Sequence, residues 1–257
     1  MNTPSHTCDV AIVGAGPAGM AAACVLAKNS RDVVVLDEQN GPGGQVYRGV
    51  DKVFAERPED VQFLGKEYAA GHALTRRFRE SGACYRHGVS VWEITSEHEP
   101  ELAIGLIEDG SARMLYPRHV ILATGAMERP VPFEGWTLPG VMTVGAAQTL
   151  LKSSRLVPRQ DVVLAGTGPL LYLYARQLKN LGVKPQAILD TGSSLSLRAS
   201  LLGLDALIAC PQSVLQGMQW VWSAKSEMGL TKGVHALRAQ GDDRLSSISY
   251  EAGGRRH

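Results

Sequence analysis

The fold is decided by the stretch Cys8-Asp-Val-Ala-Ile-Val-Gly-Ala-Gly-Pro-Ala-Gly19, together with Val33-Val-Val-Leu-Asp-Glu38 further along. An apolar run ends at Gly14, and an alanine-rich stretch follows Gly19. A polar break then separates this stretch from the second apolar run. This order is typical of a strand, a tight glycine turn, a helix and a second strand. The sequence therefore predicts a β-α-β unit at the start of an α/β fold.

The three glycines of the turn are expected to have separate functions. Gly14 makes the turn, Gly16 lets a pyrophosphate approach the backbone, and Gly19 lets the helix pack closely on the strand. The helix N-terminus then offers free N–H groups and a partial positive charge to phosphates. Asp37 follows Gly14 by 23 positions (37 − 14), where a carboxylate accepts a ribose hydroxyl, and Glu38 is the neighbouring candidate. This arrangement predicts nucleotide binding, the alternative being a purely structural glycine turn.

Composition narrows the class of protein. The chain has 257 residues, of which 44% are hydrophobic and 20% charged, as expected for a globular protein of one large or two small domains. A net charge of +1 gives no reason to expect nucleic acid or an anionic membrane as a partner. No long apolar run and no signal-peptide pattern are present, which predicts a cytoplasmic protein without a transmembrane segment. The cysteines show no C-x-x-C spacing and are predicted to be reduced, without a metal site: Cys8, Cys24, Cys84 and Cys210.

A glycine- and proline-rich loop follows the second strand, Asn40-Gly-Pro-Gly-Gly-Gln-Val-Tyr-Arg48. Its composition excludes regular structure and favours backbone wrapped around a ligand, with a plain surface loop as the alternative. Beyond a polar stretch we expect a helix over residues 59–81, which Gly65 or Gly71 can interrupt. Residues 83–94 then alternate in a way that predicts a single strand.

Asp109-Gly110 between two apolar runs is a strong hairpin signal. A separate buried strand is predicted over residues 119–126, and it contains Ala123-Thr-Gly125. The Thr124 hydroxyl and the open backbone of Gly125 would lie where α/β sheets bind ligands. Residues 129–140 contain three prolines and two glycines, which predicts an ordered crossover between domains. We therefore expect domains over residues 1–140 and 141–257.

A second unit of the same kind is predicted from residue 161. A strand leads to the turn Gly166-Thr-Gly-Pro169, followed by a helix over residues 170–181 and a strand that ends at Asp190, 24 positions after Gly166 (190 − 166). Leu171 replaces the third glycine of the motif. The pattern predicts a Rossmann-like unit that binds an adenine nucleotide weakly, with NAD preferred to NADP because Asp190 would repel a 2′-phosphate. A retained fold with an empty or altered site is the alternative.

The end of the chain carries weaker signals. Residues 193–210 are rich in leucine and small residues, and a helix is predicted over residues 212–228. A strand near residues 246–250 leads to a Gly253-Gly254 turn, after which residues 255–257 are expected to be too short to pair. The helix is predicted to have a core face formed by Val214, Met218, Val221 and Trp222.

These motifs together resemble the flavoproteins that have two dinucleotide-binding domains. Within this group, the motifs resemble those of the A or alpha subunits of opine oxidase, D-hydroxyproline dehydrogenase and heteromeric sarcosine oxidase, and of the B subunit of hydrogen cyanide synthase. It is carried most specifically by Gly43-Gly-Gln-Val-Tyr-Arg48 and Trp136-Thr-Leu-Pro-Gly-Val141, with the Ala-Thr-Gly segment in support. The resemblance implies an FAD-binding Rossmann-like domain followed by an NAD(P)-type domain.

The resemblance also implies FAD at the first site and NAD or another adenine nucleotide at the second. No catalytic residue is predicted, and His72, His87 and His119 are interpreted as surface or packing residues. The predicted FAD-site residues are Gly14, Gly16, Pro17, Ala18, Gly19, Asp37, Glu38, Gly43, Gly44, Gln45, Arg48, Val89, Ala123, Thr124 and Gly125. The predicted second-site residues are Gly166, Gly168, Pro169 and Asp190.

The implied function is that of an FAD-dependent oxidoreductase subunit. With a second flavoprotein subunit of the beta type, it would oxidise an amino acid, opine or related secondary amine by hydride transfer to flavin. The alternatives are a stand-alone NAD(P)H-dependent flavin oxidoreductase and a non-catalytic or incomplete assembly subunit. In the family, the first domain is completed by a segment after the second domain, and this sequence ends before it. We therefore expect an open flavin pocket, poor retention of FAD and aggregation in the absence of a partner.

Overall fold

A computed structural model describes residues 7–98, 101–159, 161–192 and 211–257. The chain divides into two compact units, unit 1 (Met1–Met127) and unit 2 (Glu128–His257). In the part of the chain so described, no helix has both the length and the apolar character that crossing a membrane requires.

The boundary between the units lies 13 residues before the predicted one (140 − 127). The crossover segment belongs to unit 2 because its backbone hydrogen bonds are made there. The carbonyl of Glu134 accepts from Ala239 N at 2.8 Å, and the carbonyl of Pro139 accepts from Leu245 N at 2.9 Å. The predicted crossover is therefore ordered by the second unit.

The described residues of unit 1 form one six-stranded sheet. Its strands are β1 (Thr7–Val13), β2 (Val33–Asp37), β3 (Cys84–His87), β4 (Ser90–His98), β5 (Glu101–Glu108) and β6 (Ser111–Leu122). The strand order is β3-β2-β1-β6-β5-β4. β1, β2, β3 and the second half of β6 run parallel, while β4, β5 and the first half of β6 form an antiparallel meander. Its helices are α1 (Pro17–Lys28), α2 (Val50–Glu56), α3 (Val61–Leu64) and α4 (Lys66–Arg79), with a 3₁₀ turn at Pro58–Asp60.

The two central parallel strands, β1 and β2, are buried on both faces. All five residues of β2 are buried, which explains why the strand reads as a continuous apolar run. Alternate residues of β1 and β2 face opposite sides. One set, which includes Ile12 and Val35, packs with Met20 of α1 and Phe78 of α4. The other set, which includes Leu36, packs against apolar residues of the meander.

β6 corrects the prediction of a separate buried strand. The hairpin turn is confirmed, with positive φ at both Asp109 (50°) and Gly110 (71°), but the strand that follows continues for 12 residues. It pairs antiparallel with β5 as far as Leu115 and parallel with β1 from Tyr116 onward. The second half of β6 pairs with β1 on one edge, and no described strand pairs with its other edge. Leu122, at the end of this half, is 67% exposed.

One other prediction for unit 1 also needs correction. The single strand expected over residues 83–94 is broken near Gly88 (φ 69°) into β3 and β4. Residues 50–56 lie in the polar stretch, for which no element was predicted, and they form α2 with Val50 and Val53 fully buried. The helix expected over residues 59–81 is indeed interrupted at Gly65, where φ is 97°.

The described strands of unit 2 are β7 (Val163–Gly166), β8 (Ala187–Asp190), β9 (Leu230–Lys232), β10 (His235–Gln240), β11 (Ser247–Ala252) and β12 (Arg255–Arg256). Its described helices are α5 (Val144–Ser154), α6 (Pro169–Asn180) and α7 (Pro211–Glu227), and the stretch 193–210 lies outside the described residues. The strands form a parallel sheet, β7-β8-β9, and an antiparallel sheet, β10-β11-β12. β7, α6 and β8 form the predicted second β-α-β unit.

The predicted core face of α7 is wrong. Met218 is 62% exposed and Trp222 is 70% exposed. The helix packs instead against α6 and β9. It buries Ala224, and Met228 just after its end is also buried. Helical spacing identified an apolar stripe, but the neighbouring elements cover a different face of the helix.

The expectation that the last strand is too short to pair is also wrong. β12 pairs antiparallel with β11, and Tyr250 and His257 exchange backbone hydrogen bonds of 3.2 and 2.9 Å. Positive φ at Gly253 (57°) and Gly254 (73°) gives the tight turn that sets this register. The rings of Tyr250 and His257 also stack, with centroids 5.1 Å apart.

Candidate nucleotide-binding sites

Packing inside unit 1 requires two of the three turn glycines. Gly14 has a φ of 104°, and a Cβ added there would overlap the carbonyl oxygen of Ala123. A Cβ added to Gly19 would overlap the carbonyl oxygen of Gly14. These glycines therefore hold α1, β1 and the end of β6 in close contact, as the sequence motif predicts.

Gly16 differs from these two glycines. Its φ of −73° and ψ of −176° are open to any residue, and the nearest atom to an added Cβ is Gly44 Cα at 4.0 Å. Nothing within the described protein therefore requires glycine at this position. A ligand lying against the backbone does require it, which is the fit expected for a pyrophosphate group.

The N-terminus of α1 is free to bind an anion. Its first intrahelical hydrogen bond runs from Met20 N to Gly16 O at 3.0 Å, so the N–H groups of Ala18 and Gly19 lie before the first bonded turn. The helix has no side-chain cap and no acidic residue in its first turn, Pro17 has no N–H, and Ala18 is exposed. The positive end of the helix dipole is thus left open to phosphate.

The glycine-rich loop folds onto this turn. Gly43 N donates to the carbonyl of Ala15 at 2.8 Å. Gly44 has a φ of 57°, and a Cβ added to it would lie 3.0 Å from Gly16 Cα. The loop that the sequence predicted to be irregular therefore packs its backbone beside Gly16, while the neighbouring Gln45 is exposed.

Arg48 closes the loop and has a buried donor without a partner in the part of the chain described. Its guanidinium donates through one terminal nitrogen to Gln39 Oε1, and its carbonyl accepts from Tyr68 Oη at 2.8 Å. Its Nε is buried and has no hydrogen-bond partner among the described residues. A buried cationic donor without a partner is unfavourable, and an anionic ligand oxygen would satisfy it.

Asp37 is oriented by the backbone. It is 8% exposed, and it accepts from Ala15 N at 2.5 Å and from Gln39 N at 2.7 Å on different oxygens. Each oxygen retains a lone pair for a hydroxyl. Glu38 is exposed, and Val89 lies beside Asp37, because Val89 N donates to the Asp37 carbonyl at 2.9 Å. Asp37 therefore remains the better-placed candidate for a ribose.

We expect Asp37→Ala to weaken the fold as well as FAD binding. The variant leaves the Ala15 N–H buried without its acceptor, which costs about 1–3 kcal/mol of unfolding free energy. Urea denaturation of the protein without FAD measures this cost. Glu38→Ala is the matched control, and its effect should stay within about 0.5 kcal/mol. An Asp37→Ala protein as stable as the wild type would contradict this structural role.

The end of β6 completes this edge of unit 1. Ala123 N donates to the Val13 carbonyl at 2.8 Å, which extends the pairing with β1 beyond Leu122. Thr124 and Gly125 then follow as exposed residues, and Gly125 has a φ of 74°. The structure thus brings Asp37, Gly43, Gly44 and Ala123 together around the glycine turn, and the contacts of all the predicted residues with FAD stay predictions.

The three histidines lie apart from one another in unit 1. His72 stacks on Phe54, with ring centroids 4.2 Å apart, and its Nδ1 lies 3.2 Å from Asp51 Oδ1. Burial alone would raise the pKa of Asp51, but hydrogen bonds from neighbours such as Thr75 hold it below its usual value. This cluster links α2 to α4. His119 is exposed, and so is His87, which pairs in register with Asp37.

The second glycine turn has a different conformation. Gly166 has a φ of 147° and Gly168 a φ of 95°, and an added Cβ would meet no atom within 4 Å at either position. α6 begins at Pro169 without an acidic residue in its first turn. Leu171, in place of the third glycine, is buried in unit 2.

Asp190 is held by two donors. Tyr172 Oη donates to its Oδ2 at 2.6 Å, and Gly192 N donates to its Oδ1 at 2.9 Å. Burial raises the pKa of the Tyr172 phenol, and the hydrogen bond to Asp190 raises it further. The sequence motif did not indicate Tyr172, because this residue lies outside the motif positions and meets Asp190 only through the fold.

Two successive Rossmann-like units, each with a glycine turn and an acid at the end of its second strand, are the architecture of proteins with two dinucleotide-binding domains. Residues 8–201 match the pyridine nucleotide-disulphide oxidoreductase family, and the chain belongs to this family. This membership confirms the predicted class, an FAD-dependent oxidoreductase, and supports the predicted cofactors, FAD and NAD or another adenine nucleotide.

Several curated proteins are similar in sequence. The A subunit of opine oxidase from Rhizobium meliloti is 39% identical over 250 residues, which are 96% of this chain and 47% of that protein. The HcnB subunit of hydrogen cyanide synthase from Pseudomonas aeruginosa is 35% identical over 240 residues, 93% of this chain and 50% of that protein. The alpha subunit of sarcosine oxidase from Rhizobium meliloti is 32% identical over 198 residues, 72% of this chain and 19% of that protein. The chain spans about half the length of the first two relatives.

Solved structures share the fold. L-proline dehydrogenase from P. horikoshii matches 98% of this chain and 40% of its own, with a TM-score of 0.63 and 17% identity. Lactococcus lactis thioredoxin reductase matches 97% of this chain and 73% of its own, with a TM-score of 0.64 and 20% identity. The predicted α/β fold with two Rossmann-like units is therefore confirmed.

Proposed function

We propose that the chain is the FAD-binding subunit of a heteromeric oxidoreductase that oxidises an amino acid, opine or related secondary amine. The observation that carries the proposal is the alignment of 96% of the chain with the A subunit of opine oxidase at 39% identity. The names of two further relatives, HcnB and sarcosine oxidase alpha, also denote subunits of larger enzymes. A cytoplasmic location is part of the proposal and is supported by the free thiols of Cys8, Cys24 and Cys84.

Bound FAD would supply a hydride acceptor for the Cα–H of the amine, leaving an imine that water hydrolyses. The residues of unit 1 would hold and orient that cofactor. The α1 N-terminus would bind its pyrophosphate, Gly16 and Gly44 would let it approach the backbone, and Asp37 would accept a ribose hydroxyl. We assign no residue of this chain to proton transfer. Amine oxidation itself is proposed to take place with a second, beta-type flavoprotein subunit.

An experiment on the intact complex tests this proposal. The chain, tagged in its host, is purified with its bound partner, and the flavin spectrum is followed without oxygen as substrates are added. We expect an opine or an N-alkylated amino acid such as sarcosine to bleach the flavin of the complex. The chain alone should not respond to the same amine. A complex with full flavin content that no amine reduces would contradict the proposal and favour a non-catalytic role in assembly.

A stand-alone NAD(P)H-dependent flavin oxidoreductase is the second candidate. The glycine turn of unit 2 favours it, since Gly166, Gly168 and Asp190 follow the nucleotide-binding pattern. In this case one equivalent of NADH would bleach the flavin of the chain alone under the same conditions. That outcome would replace the amine-oxidising proposal.

A further inference from the structure

The two β-α-β units hold their acidic residues in partly the same way. In unit 1, Oδ1 of Asp37 accepts from the backbone N–H two positions later, Gln39 N, at 2.7 Å. In unit 2, Oδ1 of Asp190 accepts from the backbone N–H two positions later, Gly192 N, at 2.9 Å. One carboxylate oxygen is thus anchored identically in both units.

The other oxygen is anchored differently. In unit 1, Oδ2 of Asp37 accepts from Ala15 N, a backbone group of the glycine turn, at 2.5 Å. In unit 2, Oδ2 of Asp190 accepts instead from the side chain of Tyr172, at 2.6 Å. The glycines before the helices also differ, because φ is −73° at Gly16 and 95° at Gly168. A phenol of α6 thus takes the place of a turn amide.

We infer that Tyr172 is a positioning residue of the second nucleotide site and sets its preference for an unphosphorylated ribose. Its ring is buried, with 8% exposure, so its hydroxyl is fixed relative to α6. The two bonds hold the Asp190 carboxylate in one orientation, and each oxygen keeps a lone pair for a ribose hydroxyl. A 2′-phosphate brought to the same place would face a carboxylate that cannot turn away. The inference rests on the proposed nucleotide binding by unit 2.

Tyr172→Phe tests the inference. The substitution keeps the buried ring and frees one oxygen of Asp190, so the carboxylate must be ordered again when a nucleotide binds. Calorimetry on the FAD-loaded protein should show NAD⁺ affinity about three- to tenfold lower, the range expected for ordering one free side chain. NADP⁺ affinity should fall less or rise, because the freed carboxylate can turn from the 2′-phosphate. The preference for NAD⁺ over NADP⁺ should therefore become smaller.

Tyr174→Phe is the matched control. Tyr174 lies two positions further along the same helix and is also buried. Its hydroxyl has no hydrogen-bond partner within the described ranges. Removing it should leave the affinities for NAD⁺ and NADP⁺, and their ratio, unchanged.

A double-mutant cycle separates positioning from packing. In an Asp190→Ala background, Tyr172→Phe should have no further effect on NAD⁺ affinity. The inference would be overturned if Tyr172→Phe kept the wild-type ratio of NAD⁺ to NADP⁺ affinity. It would also be overturned if Tyr172→Phe lost the same NAD⁺ affinity in the wild type and in the Asp190→Ala background. A wild-type protein that binds neither nucleotide while retaining FAD would also overturn it, and would leave the proposed flavin function intact.

Discussion

Replacing Gly16 with valine is expected to weaken FAD binding strongly while the fold of unit 1 survives. The backbone at this position already has a conformation that valine adopts, and no atom of the described protein lies closer than 4.0 Å to an added Cβ. The new side chain would occupy the space of the pyrophosphate. Forcing a group into filled space costs about 1–3 kcal/mol or more, so affinity should fall about a hundredfold.

Flavin content after purification and reconstitution measures this effect. Urea denaturation of the same protein without FAD should match the wild type within about 0.5 kcal/mol. Gly16→Ala provides a milder step, with a smaller loss of affinity and the same stability. Undiminished flavin content in Gly16→Val would refute the assignment of this turn to the pyrophosphate.

Replacing Gly19 with alanine should lower the stability of the protein itself, even without FAD, whereas Gly16→Val lowers only FAD binding. The added Cβ would overlap the Gly14 carbonyl oxygen and lie 3.3 Å from the Ala123 Cβ. These neighbours cannot easily withdraw, because Ala123 N is bonded to the Val13 carbonyl at 2.8 Å. We expect a loss of about 3 kcal/mol or more in the unfolding free energy of unit 1.

Gly41→Ala is the control for this second variant. Gly41 lies in the neighbouring loop, and an added Cβ would meet no atom within 4 Å. Its unfolding free energy should change by less than about 0.5 kcal/mol. If Gly19→Ala unfolded at the same urea concentration as the wild type, the close packing of α1 on β1 would be contradicted.

The first β-α-β unit could be predicted almost completely from the sequence. The bounds of β1, α1 and β2 match the apolar runs and the glycine turn, because each element depends on local requirements. The hairpin at Asp109 and Gly110 was predictable for the same reason, since its turn needs two residues with positive φ.

Features that depend on tertiary partners could not be predicted. Met218 and Trp222 have helical spacing, but spacing alone does not reveal which face of α7 its neighbours cover. The continuity of β6 depends on β1 and β5, which pair with different halves of the strand.

The candidate sites show the same limit. The motif identified Asp37 and Asp190, but it gave no sign that Ala15 N and the Tyr172 hydroxyl hold them. Every residue except proline carries the same backbone N–H group, so the sequence does not show that Ala15 N donates to Asp37. Tyr172 lies outside the motif positions, so the motif does not show that its hydroxyl donates to Asp190. The sequence therefore predicted the candidate groups of each site, and the structure adds what orients the two acidic residues.

A crystal structure of the purified chain with FAD tests the central claim most directly. We expect the pyrophosphate to lie against Gly16, with an oxygen about 2.7–3.2 Å from Ala18 N and a ribose hydroxyl within the same distance of Asp37. FAD bound instead at the Gly166–Gly168 turn of unit 2, or away from both glycine turns, would contradict the account.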